Sequence, residues 1–432
     1  MVKRKQVFII GLDEFNLQKL QNLPQAPDYL FLPALYTSEM RNVKEYDIKK
    51  FIDLCFQRIE EHGSIDAIAS YYDFPGSLLV PVIAQKYKVP GPSLESIMKC
   101  ENKYWSRLEQ GKVISEHIPL FKAFDPFDEK AYDSLGLLPP FWIKPIKAFR
   151  SFLAYHINGE AQFYEIMKEM QRDINFIIQP FQEFMRIYNL PAEFTSMKEN
   201  CIAESAISGH QCTLEGYVYC GRVVSYGLVD SIREANCPSF ARYEYPSSLP
   251  QEIQFRMADI ARRIITQIGL DNCAFNIEFF YDQTADEVYL LEINPRISQS
   301  HGDIFEKVHG ASHHSIMLDL ATGKKPKTLN NSGNYNKAAN FMLRIFERGR
   351  VKKAPLEEEI NRVKETIPGL EITLKVTEGM HLSDLQNQDS YSFELANIFI
   401  GGRDQQDLVE KYEKVIEDLS FEIEYDEKVH LH

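Results

Sequence analysis

The chain of 432 residues is long enough for about three domains of about 150 residues each. It is 44% hydrophobic and 25% charged, which is typical of a folded protein and excludes one that is mostly disordered or fibrous. Acidic residues outnumber basic ones, 62 to 48, so the chain has no general basic surface for nucleic acid or an anionic membrane.

The N-terminal stretch alternates predicted strands and helices. VFIIG predicts a buried strand closed by Gly11, residues 46–63 predict an amphipathic helix, and IDAIASYYD predicts a second strand. SLLVPVIAQKYKVPGPS then predicts a helix and a short strand. This alternation indicates a parallel sheet with crossover helices, whose ligands bind beyond the carboxyl ends of the strands. Asp73, Pro75 and Gly76 lie at such an end.

The rest of the chain mixes both kinds of element. Residues 251–268 predict a helix with one apolar face, ended by Gly269, and residues 274–294 predict a pair of strands. Between these and the preceding strands, residues 225–250 predict a long polar and aromatic loop. GKKPKTLNNSG predicts a linker, and the tail after it combines strands (EITLKV, ELANIFIGG) with a charged helix (QQDLVEKYEKVIEDL).

Targeting signals and disulfides are not indicated. The first apolar run, VFIIGL, is shorter than the apolar region of a signal peptide, roughly 7–15 residues. No run approaches the about 20 apolar residues of a membrane-spanning helix. The seven cysteines are scattered and form no CxxC pair, which indicates reduced thiols without structural zinc. We therefore expect a cytoplasmic protein.

Residues 274–296 carry the clearest chemical pattern. Side chains alternate between the two faces of a strand, so Asn276 and Glu278 share one face of the first strand. Glu292 and Asn294 share a face of the second strand. If residue 282 lies opposite residue 288 across the turn, Glu278 lies opposite Glu292. The remaining face of the second strand is then formed by Tyr289, Leu291 and Ile293.

Two directly opposed carboxylates destabilise a hairpin unless a cation offsets their repulsion. A divalent cation bound by carboxylate and amide oxygens is the simplest candidate, and Mg²⁺ prefers such ligands together with substrate phosphates. Arg296 would then bind a phosphate with two parallel hydrogen bonds. The alternative is a solvent-exposed polar face, in which Arg296 pairs with one of the glutamates.

The segments NIEFF and LLEINPRISQSH resemble the metal-binding signature of the ATP-grasp superfamily, especially its biotin carboxylase and carbamoyl-phosphate synthetase branch. The resemblance implies an α/β fold with three parts. It implies a Rossmann-like pre-ATP-grasp domain with a parallel sheet at 1–100, an ATP-grasp domain at 101–328 and a C-terminal α+β domain at 329–432, similar to that of biotin carboxylases. The small lid of the ATP-grasp domain would span about 138–206.

Further segments resemble other parts of the same superfamily. IAESAISGHQCTLEGYVYCGRVV is similar to the adenine hinge, PFWIKPIKAF to the lid strand with a phosphate-binding lysine, and CENKYWSRL to an earlier segment with another such lysine. The resemblance implies that Mg²⁺, or Mn²⁺ as a substitute, is bound by Glu278, Glu292 and Asn294. It implies that Arg296 contacts the transferred phosphate and that Lys103 and Lys144 contact ATP phosphates. It also implies that adenine is contacted by Glu204 and Ile207, and ribose by Gln211. Arg296 and Lys144 would be the catalytic residues.

Two departures from the family pattern bear on function. The loop after Lys144 has no glycine, whereas the superfamily usually cradles phosphates there with a glycine-rich turn. Lys147, Arg150 and Ser151 are candidates to donate hydrogen bonds instead. Ser300 stands where biotin carboxylases have a glutamate that deprotonates bicarbonate, and a serine cannot do this at neutral pH.

Several residues are candidates to bind the substrate. Arg233 and Arg242 in the predicted loop are candidates to hold a carboxylate, and Ser300 and His301 are candidates to border the reacting group. Arg344 matches an arginine that biotin carboxylases direct at their substrate. The alternative for Arg344 is a local ion pair, and a lone histidine such as His301 is more often structural.

Together these patterns predict an ATP-dependent ligase that forms ADP and phosphate. It would phosphorylate a small-molecule carboxylate to an acyl phosphate and couple it to an amine, forming a carbon–nitrogen bond. The alternatives are bicarbonate activation of the biotin carboxylase kind and a nucleotide-binding regulatory protein without turnover. A homodimer is the default expectation, because it is the commonest oligomer.

Overall fold

The computed structural model describes residues 4–41, 43–148, 152–191, 194, 197–234, 237, 239–385 and 391–426. The chain divides into two compact units. The first comprises Met1–Tyr226, Leu249–Gln299 and His314–Lys327, and the second comprises Gly227–Ser248, Ser300–His313 and Thr328–His432. The domain boundaries expected near residues 100 and 328 stay predictions.

The strands, in chain order, are β1 (Lys5–Leu12), β2 (Tyr29–Tyr36), β3 (Ala67–Ser70), β4 (Phe121–Phe124), β5 (Phe141–Pro145), β6 (Tyr155–Ile157), β7 (Cys201–Ser205), β8 (His210–Tyr219), β9 (Arg222–Arg233), β10 (Phe240–Tyr245), β11 (Cys273–Asp282), β12 (Glu287–Asn294), β13 (Lys337–Ile345), β14 (Gly349–Lys353), β15 (Glu371–Leu374), β16 (Phe393–Gly402) and β17 (Glu422–Tyr425).

The helices, in chain order, are α1 (Glu14–Gln21), α2 (Thr37–Met40), α3 (Ile48–Glu61), α4 (Gly76–Tyr87), α5 (Leu94–Glu101), α6 (Lys103–Val113), α7 (Ala131–Leu135), α8 (Glu160–Asp173), α9 (Asn175–Ile187), α10 (Gln251–Ile268), α11 (Gly302–His309), α12 (His314–Ala321), α13 (Glu357–Thr366) and α14 (Gln405–Asp418). Among the described residues, no helix is both long enough and apolar enough to cross a membrane.

The first unit begins with a parallel three-stranded sheet in the order β2-β1-β3. The central strand β1 is buried from Val7 to Leu12, as an apolar strand between two others must be. The predicted strands β1 and β3 are confirmed, but β2 is not among the predicted strands. Pro33 in the middle of β2 lacks an amide donor, which argues against a strand when only the sequence is read. The sheet tolerates this proline because β2 lies at an edge.

Helices α3 and α4 confirm the helical part of the N-terminal prediction. The apolar face of α3 is buried along Ile48, Phe51, Ile52, Cys55 and Ile59. The short strand predicted after α4 is wrong, because residues 88–93 form no strand. Prolines at 90 and 92 cannot donate the ladder hydrogen bonds that a strand needs.

The central part of the first unit holds two antiparallel sheets. The smaller has the order β4-β7-β5-β6, and β7 lies between β4 and β5. The other contains β12, β11 and β8 as neighbours. Helix α10 lies where the sequence predicts it, and Gly269 ends it in the left-handed conformation at φ 75°. The two sheets place Lys144 and the predicted metal residues on strands, whereas Lys103 begins α6 and Arg296 follows β12.

The second unit is mostly antiparallel sheet covered by helices. Its main sheet has the order β9-β10-β13-β16-β15, to which β9 contributes its last residues. A separate two-stranded sheet is formed by β14 and β17. Leu408 and Val415 of α14 are buried in a core with Phe341 of β13. The predicted loop at 225–250 is wrong, because this segment forms the end of β9 and all of β10. From Ala241 to Tyr245, the sequence ARYEY alternates small or aromatic residues with charged ones at the period of a strand. The α/β class is confirmed.

Two glycine substitutions test the backbone description. Gly269 has a positive φ and no heavy atom within 4 Å of an added Cβ, so Gly269→Ala meets only backbone strain, about 1–2 kcal/mol. We expect a lower urea midpoint. Gly111 lies inside α6 with its nearest atom, Ile118 Cδ1, at 4.0 Å, so Gly111→Ala should instead stabilise the protein by about 0.5–1 kcal/mol. Urea titrations followed by circular dichroism measure both midpoints. If the two variants shifted the midpoint in the same direction, the described backbone conformations of Gly269 and Gly111 would be contradicted.

Candidate functional site

Two carboxylates face each other at the centre of the candidate site. Glu278 on β11 lies directly opposite Glu292 on β12, and Asn276 lies opposite Asn294. The predicted pairing of the glutamates is therefore confirmed. Asn276 is 2% exposed and the Glu292 side chain is 29% exposed, so this polar face is partly buried rather than fully solvent-exposed. Asn294 Nδ2 donates to Asn276 Oδ1 at 3.0 Å, which fixes the two amides beside the carboxylates.

The predicted register of this hairpin is wrong near its turn. Asp282 pairs with Glu287 rather than with Val288, and a β-bulge next to Glu278 restores the pairing of the glutamates. The extra residue of the bulge is Leu291 on β12. Because one inserted residue exchanges the faces of a strand, the buried side chains of β12 are Val288, Leu290 and Ile293, not Tyr289, Leu291 and Ile293.

Strand β8 adds a second polar row that the sequence analysis did not identify. Thr213 lies opposite Glu278, and Glu215, which is fully buried, lies opposite Asn276. The signal in the sequence is the alternation of polar residues in CTLEGY. Gln211 donates from Nε2 to Glu278 Oε2 at 3.2 Å, which brings it to the carboxylate pair, and its predicted contact with ribose stays a prediction.

The opposed carboxylates perturb each other. Burial and repulsion from Glu292 raise the pKa of Glu278 to about 7. Burial would also raise the pKa of Glu292, but Lys103 and Lys144 hold it below its ordinary value. Ionisation of both glutamates is thus disfavoured without a further cation.

The donor set fits Mg²⁺, because two carboxylates and an asparagine amide offer the hard oxygen ligands that this ion prefers. In the part of the chain that the structure describes, no group of three or more His, Cys, Asp and Glu residues is arranged to hold a metal. A metal site on this hairpin would therefore take its third protein ligand from Asn294.

Lys103 lies beside the carboxylate pair. It is the first residue of α6, whose N-terminus is capped by Asn102 Oδ1. Its ammonium group contacts Glu292. Burial lowers the pKa of Lys103 even though Glu292 opposes that effect. The lysine predicted to bind phosphate thus occupies an oxygen predicted to bind metal.

A second cluster of charges lies around Glu204 on β7. Lys144 on β5 contacts one oxygen of Glu204 at 2.6 Å, and Arg107 on α6 contacts the other at 2.6 Å. Burial opposes ionisation of Glu204, but the two cations lower its pKa to about 2. Arg107 was not identified from the sequence, although it lies one helical turn after Lys103 and therefore on the same face of α6.

The adenine contacts stay predictions. The carboxylate of Glu204 is held by Lys144 and Arg107. Ile207 lies half-buried in the connection between β7 and β8.

Arg296 and Lys147 contact the same carboxylate, that of Asp73, which the sequence places at the end of a strand without a role. Both contact Asp73, and Lys147 also contacts Glu101. The alternative in which Arg296 pairs with Glu278 or Glu292 is wrong. Lys147 is buried between Asp73 and Glu101, so it does not face a ligand as a free donor. The other candidate donors of this loop, residues 150 and 151, lie outside the described residues.

The candidate substrate residues Arg233, Arg242, Ser300, His301 and Arg344 all belong to the second unit. Arg344 contacts Glu394 at 3.2 Å and donates to the Phe240 carbonyl at 2.8 Å, which matches the local alternative. Arg242 contacts Glu244 at 2.6 Å, and Arg233 lies over the Phe240 ring. His301 packs edge-on against Tyr243, and the Ser300 carbonyl accepts from Asn340. Their substrate roles stay predictions.

Comparison with known families identifies the central part of the chain. Residues 137–302 match the family model described as the ATP-grasp domain. The matched stretch contains Lys144, Glu204, Glu278, Glu292 and Arg296 but begins after Lys103. The resemblance inferred from the sequence is therefore confirmed.

Among the curated proteins that match parts of the chain are a carbamoyl phosphate synthase and a urea amidolyase. The carbamoyl phosphate synthase large chain, C-terminal section, of Methanopyrus kandleri is 32% identical over 126 residues, which cover 28% of this chain and 22% of that protein. Urea amidolyase of Saccharomyces cerevisiae is 22% identical over 204 residues, which cover 46% of this chain and 10% of that protein. The chain thus spans less than a quarter of the length of either relative.

A solved structure resembles nearly the whole chain. The L-amino acid ligase from Bacillus licheniformis superposes with a TM-score of 0.72 at 16% identity and covers 99% of this chain and 100% of its own. At this identity the likeness shows a shared fold.

The charge cluster around Glu204 generates a stability prediction. Glu204→Gln leaves Arg107 and Lys144 without their buried counter-charge, so we expect a loss of about 3 kcal/mol in the free energy of unfolding. The pKa of Glu204 is lower in the folded protein than its ordinary value of 4.5. The stability difference between the wild-type protein and the variant is therefore largest at neutral pH and decreases as the pH falls toward 2. Urea titrations at several pH values measure it.

Glu39→Gln is the matched control. Glu39 also forms an ion pair, at 2.7 Å with Arg58, but its side chain is 29% exposed, so the expected loss is below about 1 kcal/mol. Equal losses for the two variants at neutral pH would contradict the electrostatic description.

Proposed function

We propose that this protein, which carries an ATP-grasp domain, is an ATP- and Mg²⁺-dependent ligase that joins a small-molecule carboxylate to an amine. The observation that carries the proposal is the opposed pair Glu278 and Glu292, with Lys103 in contact and Asn294 beside it. Full ionisation of such a pair is favoured by a bound cation, and an ATP-grasp domain gives that cation a nucleotide partner. One solved structure that covers nearly the whole chain, with a TM-score of 0.72, is that of a protein named L-amino acid ligase, which favours carbon–nitrogen bond formation.

The first step is activation of the acid. An oxygen of the substrate carboxylate attacks the γ-phosphorus of ATP, the bond from that phosphorus to the bridging oxygen breaks, and an acyl phosphate and ADP form. Mg²⁺, when bound by Glu278, Glu292 and Asn294, reduces the repulsion between the carboxylate and the triphosphate. Lys144 and Arg296 stabilise the negative charge of the transferred group.

The second step forms the product. The amine nitrogen attacks the acyl carbon, inorganic phosphate leaves, and the nitrogen releases one proton as the amide forms. Water would destroy the acyl phosphate before this step, so the nucleotide lid must exclude it. The lid strands β5 and β7 carry Lys144 and Glu204, so closure of the lid over the phosphates would also bring Lys144 to them.

A nucleotide-binding regulatory protein is the second candidate. The observation that favours it is the loop after Lys144, which has no glycine and whose Lys147 is bound to Glu101 and Asp73. Bicarbonate activation is less favoured than either, because Ser300 cannot act as the base that biotin carboxylases use there.

Phosphate release tests the proposal. We expect MgATP to yield ADP and phosphate only when pools of amino acids or other small carboxylates and amines are present. Glu292→Gln should abolish this turnover. Its thermal midpoint should stay nearly unchanged or rise, because the repulsion with Glu278 is removed and Glu278 can ionise to pair with Lys103.

Glu287→Gln is the matched control on the same strand. Glu287 is exposed at the start of β12, outside the charged site, and we expect this variant to keep full activity. Full activity of Glu292→Gln would contradict the metal assignment. Nucleotide binding without turnover in any pool would favour the regulatory protein.

The contact of Lys103 with Glu292 predicts competition between the lysine and the metal. Lys103→Met removes a positive charge and frees a carboxylate oxygen, so we expect about tenfold tighter Mn²⁺ binding without nucleotide. Electron paramagnetic resonance of free Mn²⁺ measures this affinity. Lys112→Met, which changes an exposed lysine of the same helix, should leave it unchanged. Equal affinities of the two variants would contradict the competition.

A further inference from the structure

Asp73 lies at the carboxyl end of the N-terminal parallel sheet, between β3 and α4. Its position is fixed locally, because its Oδ1 accepts the Phe74 amide at 2.7 Å and its carbonyl accepts the Ser77 amide at 3.3 Å. In open sheets of this kind, the carboxyl ends of the strands are where ligands bind. The side chain of Asp73 is therefore held at the edge that such a sheet presents to a ligand.

The carboxylate of Asp73 contacts two cations from distant parts of the chain. Asp73 Oδ2 lies 2.5 Å from Arg296 Nη2, and Asp73 Oδ1 lies 3.2 Å from Lys147 Nζ. Lys147 also contacts Glu101, so two positive and two negative side chains form one connected group. Lys147 and Glu101 are almost fully buried, whereas Asp73 and Arg296 are 23% and 17% exposed. The more exposed end of this group is the end at Arg296.

The side-chain hydrogen bonds of Arg296 involve two of its three nitrogens. Nη2 donates to Asp73, and Nη1 donates to the Ile297 carbonyl at 3.3 Å. The third nitrogen, Nε, is buried and has no hydrogen-bond partner among the described residues. Because a guanidinium group is planar and rigid, fixing both terminal nitrogens also fixes the direction in which Nε donates. A buried donor without a protein partner is rare, and an acceptor that arrives with a ligand is one way to satisfy it.

We propose that Asp73 is a positioning residue for phosphoryl transfer: it orients the guanidinium group of Arg296 toward the transferred phosphate, with Lys147 and Glu101 holding Asp73 in place. The N-terminal sheet thereby contributes to the chemistry of the nucleotide site. This inference rests on the proposed function, which assigns the phosphate contact to Arg296.

A purely structural ion pair is the competing explanation. Buried ion pairs often add little net stability, because the loss of hydration offsets the attraction, yet removing one partner is costly. Stability alone therefore does not separate the two explanations. Discrimination between nucleotides does, because only a triphosphate carries the phosphate that Arg296 would contact.

The test compares the binding of two nucleotides by calorimetry, with Mg²⁺ present: ADP and the non-hydrolysable analogue adenylyl imidodiphosphate. We expect Asp73→Asn to weaken the triphosphate analogue by about tenfold or more and ADP by less than about threefold. Asp73→Glu, which keeps the charge, should recover part of the loss. Glu39→Gln, which breaks an ion pair of the N-terminal part outside the site, should change neither affinity.

A double-mutant cycle shows whether Asp73 acts through Arg296. If it does, Asp73→Asn adds no further loss of triphosphate affinity once Arg296→Met is present. Additive losses would overturn the inference, as would equal weakening of both nucleotides or no change in a folded Asp73→Asn variant. These outcomes leave nucleotide binding by the wild-type protein intact and so spare the proposed function. A wild-type protein that binds neither nucleotide would overturn the proposed function and this inference together.

Discussion

The electrostatics of the site depend on the repulsion between Glu278 and Glu292. Neighbouring strands hold these carboxylates directly opposite each other, in a partly buried position where two negative charges are costly. The cost is visible as the pKa of Glu278, raised to about 7. Such an arrangement favours the arrival of a cation, and the amide of Asn294 next to it completes a set of oxygen donors that suits Mg²⁺.

The cations of the site contact carboxylates of the chain. Lys103 contacts Glu292, Lys144 and Arg107 contact Glu204, and Arg296 and Lys147 contact Asp73. A ligand whose phosphates bind Lys103 and Lys144 would compete with Glu292 and Glu204, whereas Asp73 is proposed to orient Arg296 rather than to compete for it. The proposed binding of metal to Glu292 and of phosphate to Lys103 would therefore be coupled, because each would free the partner of the other. Such exchange would let Lys103 and Glu292 remain paired both with and without substrate.

The sequence predicted those elements that have a periodic pattern of apolar and polar residues and those residues that lie in family motifs. The periodicity of α3 and α10 identified both helices, and the alternation in β11 and β12 identified the opposed glutamates. The bulge at Leu291 was not predicted, since nothing in LLEIN marks an extra residue. Strand β2 was hidden by Pro33, and the aromatic and charged residues of 225–250 concealed the alternation of β10. Family resemblance located Lys103 and Lys144, but it did not identify Arg107 or the contacts of Asp73. Those are pairings between segments far apart in sequence, which only the tertiary structure brings together.

A crystal structure with Mn²⁺ and adenylyl imidodiphosphate tests the central claim most directly, because the anomalous signal of manganese locates the ion without assumptions. The account predicts an anomalous peak between the carboxylates of Glu278 and Glu292, within coordination distance of both and of a phosphate oxygen, with Lys103 withdrawn from Glu292. A nucleotide bound with its metal elsewhere, or Lys103 still paired with Glu292 beside bound triphosphate, would contradict it.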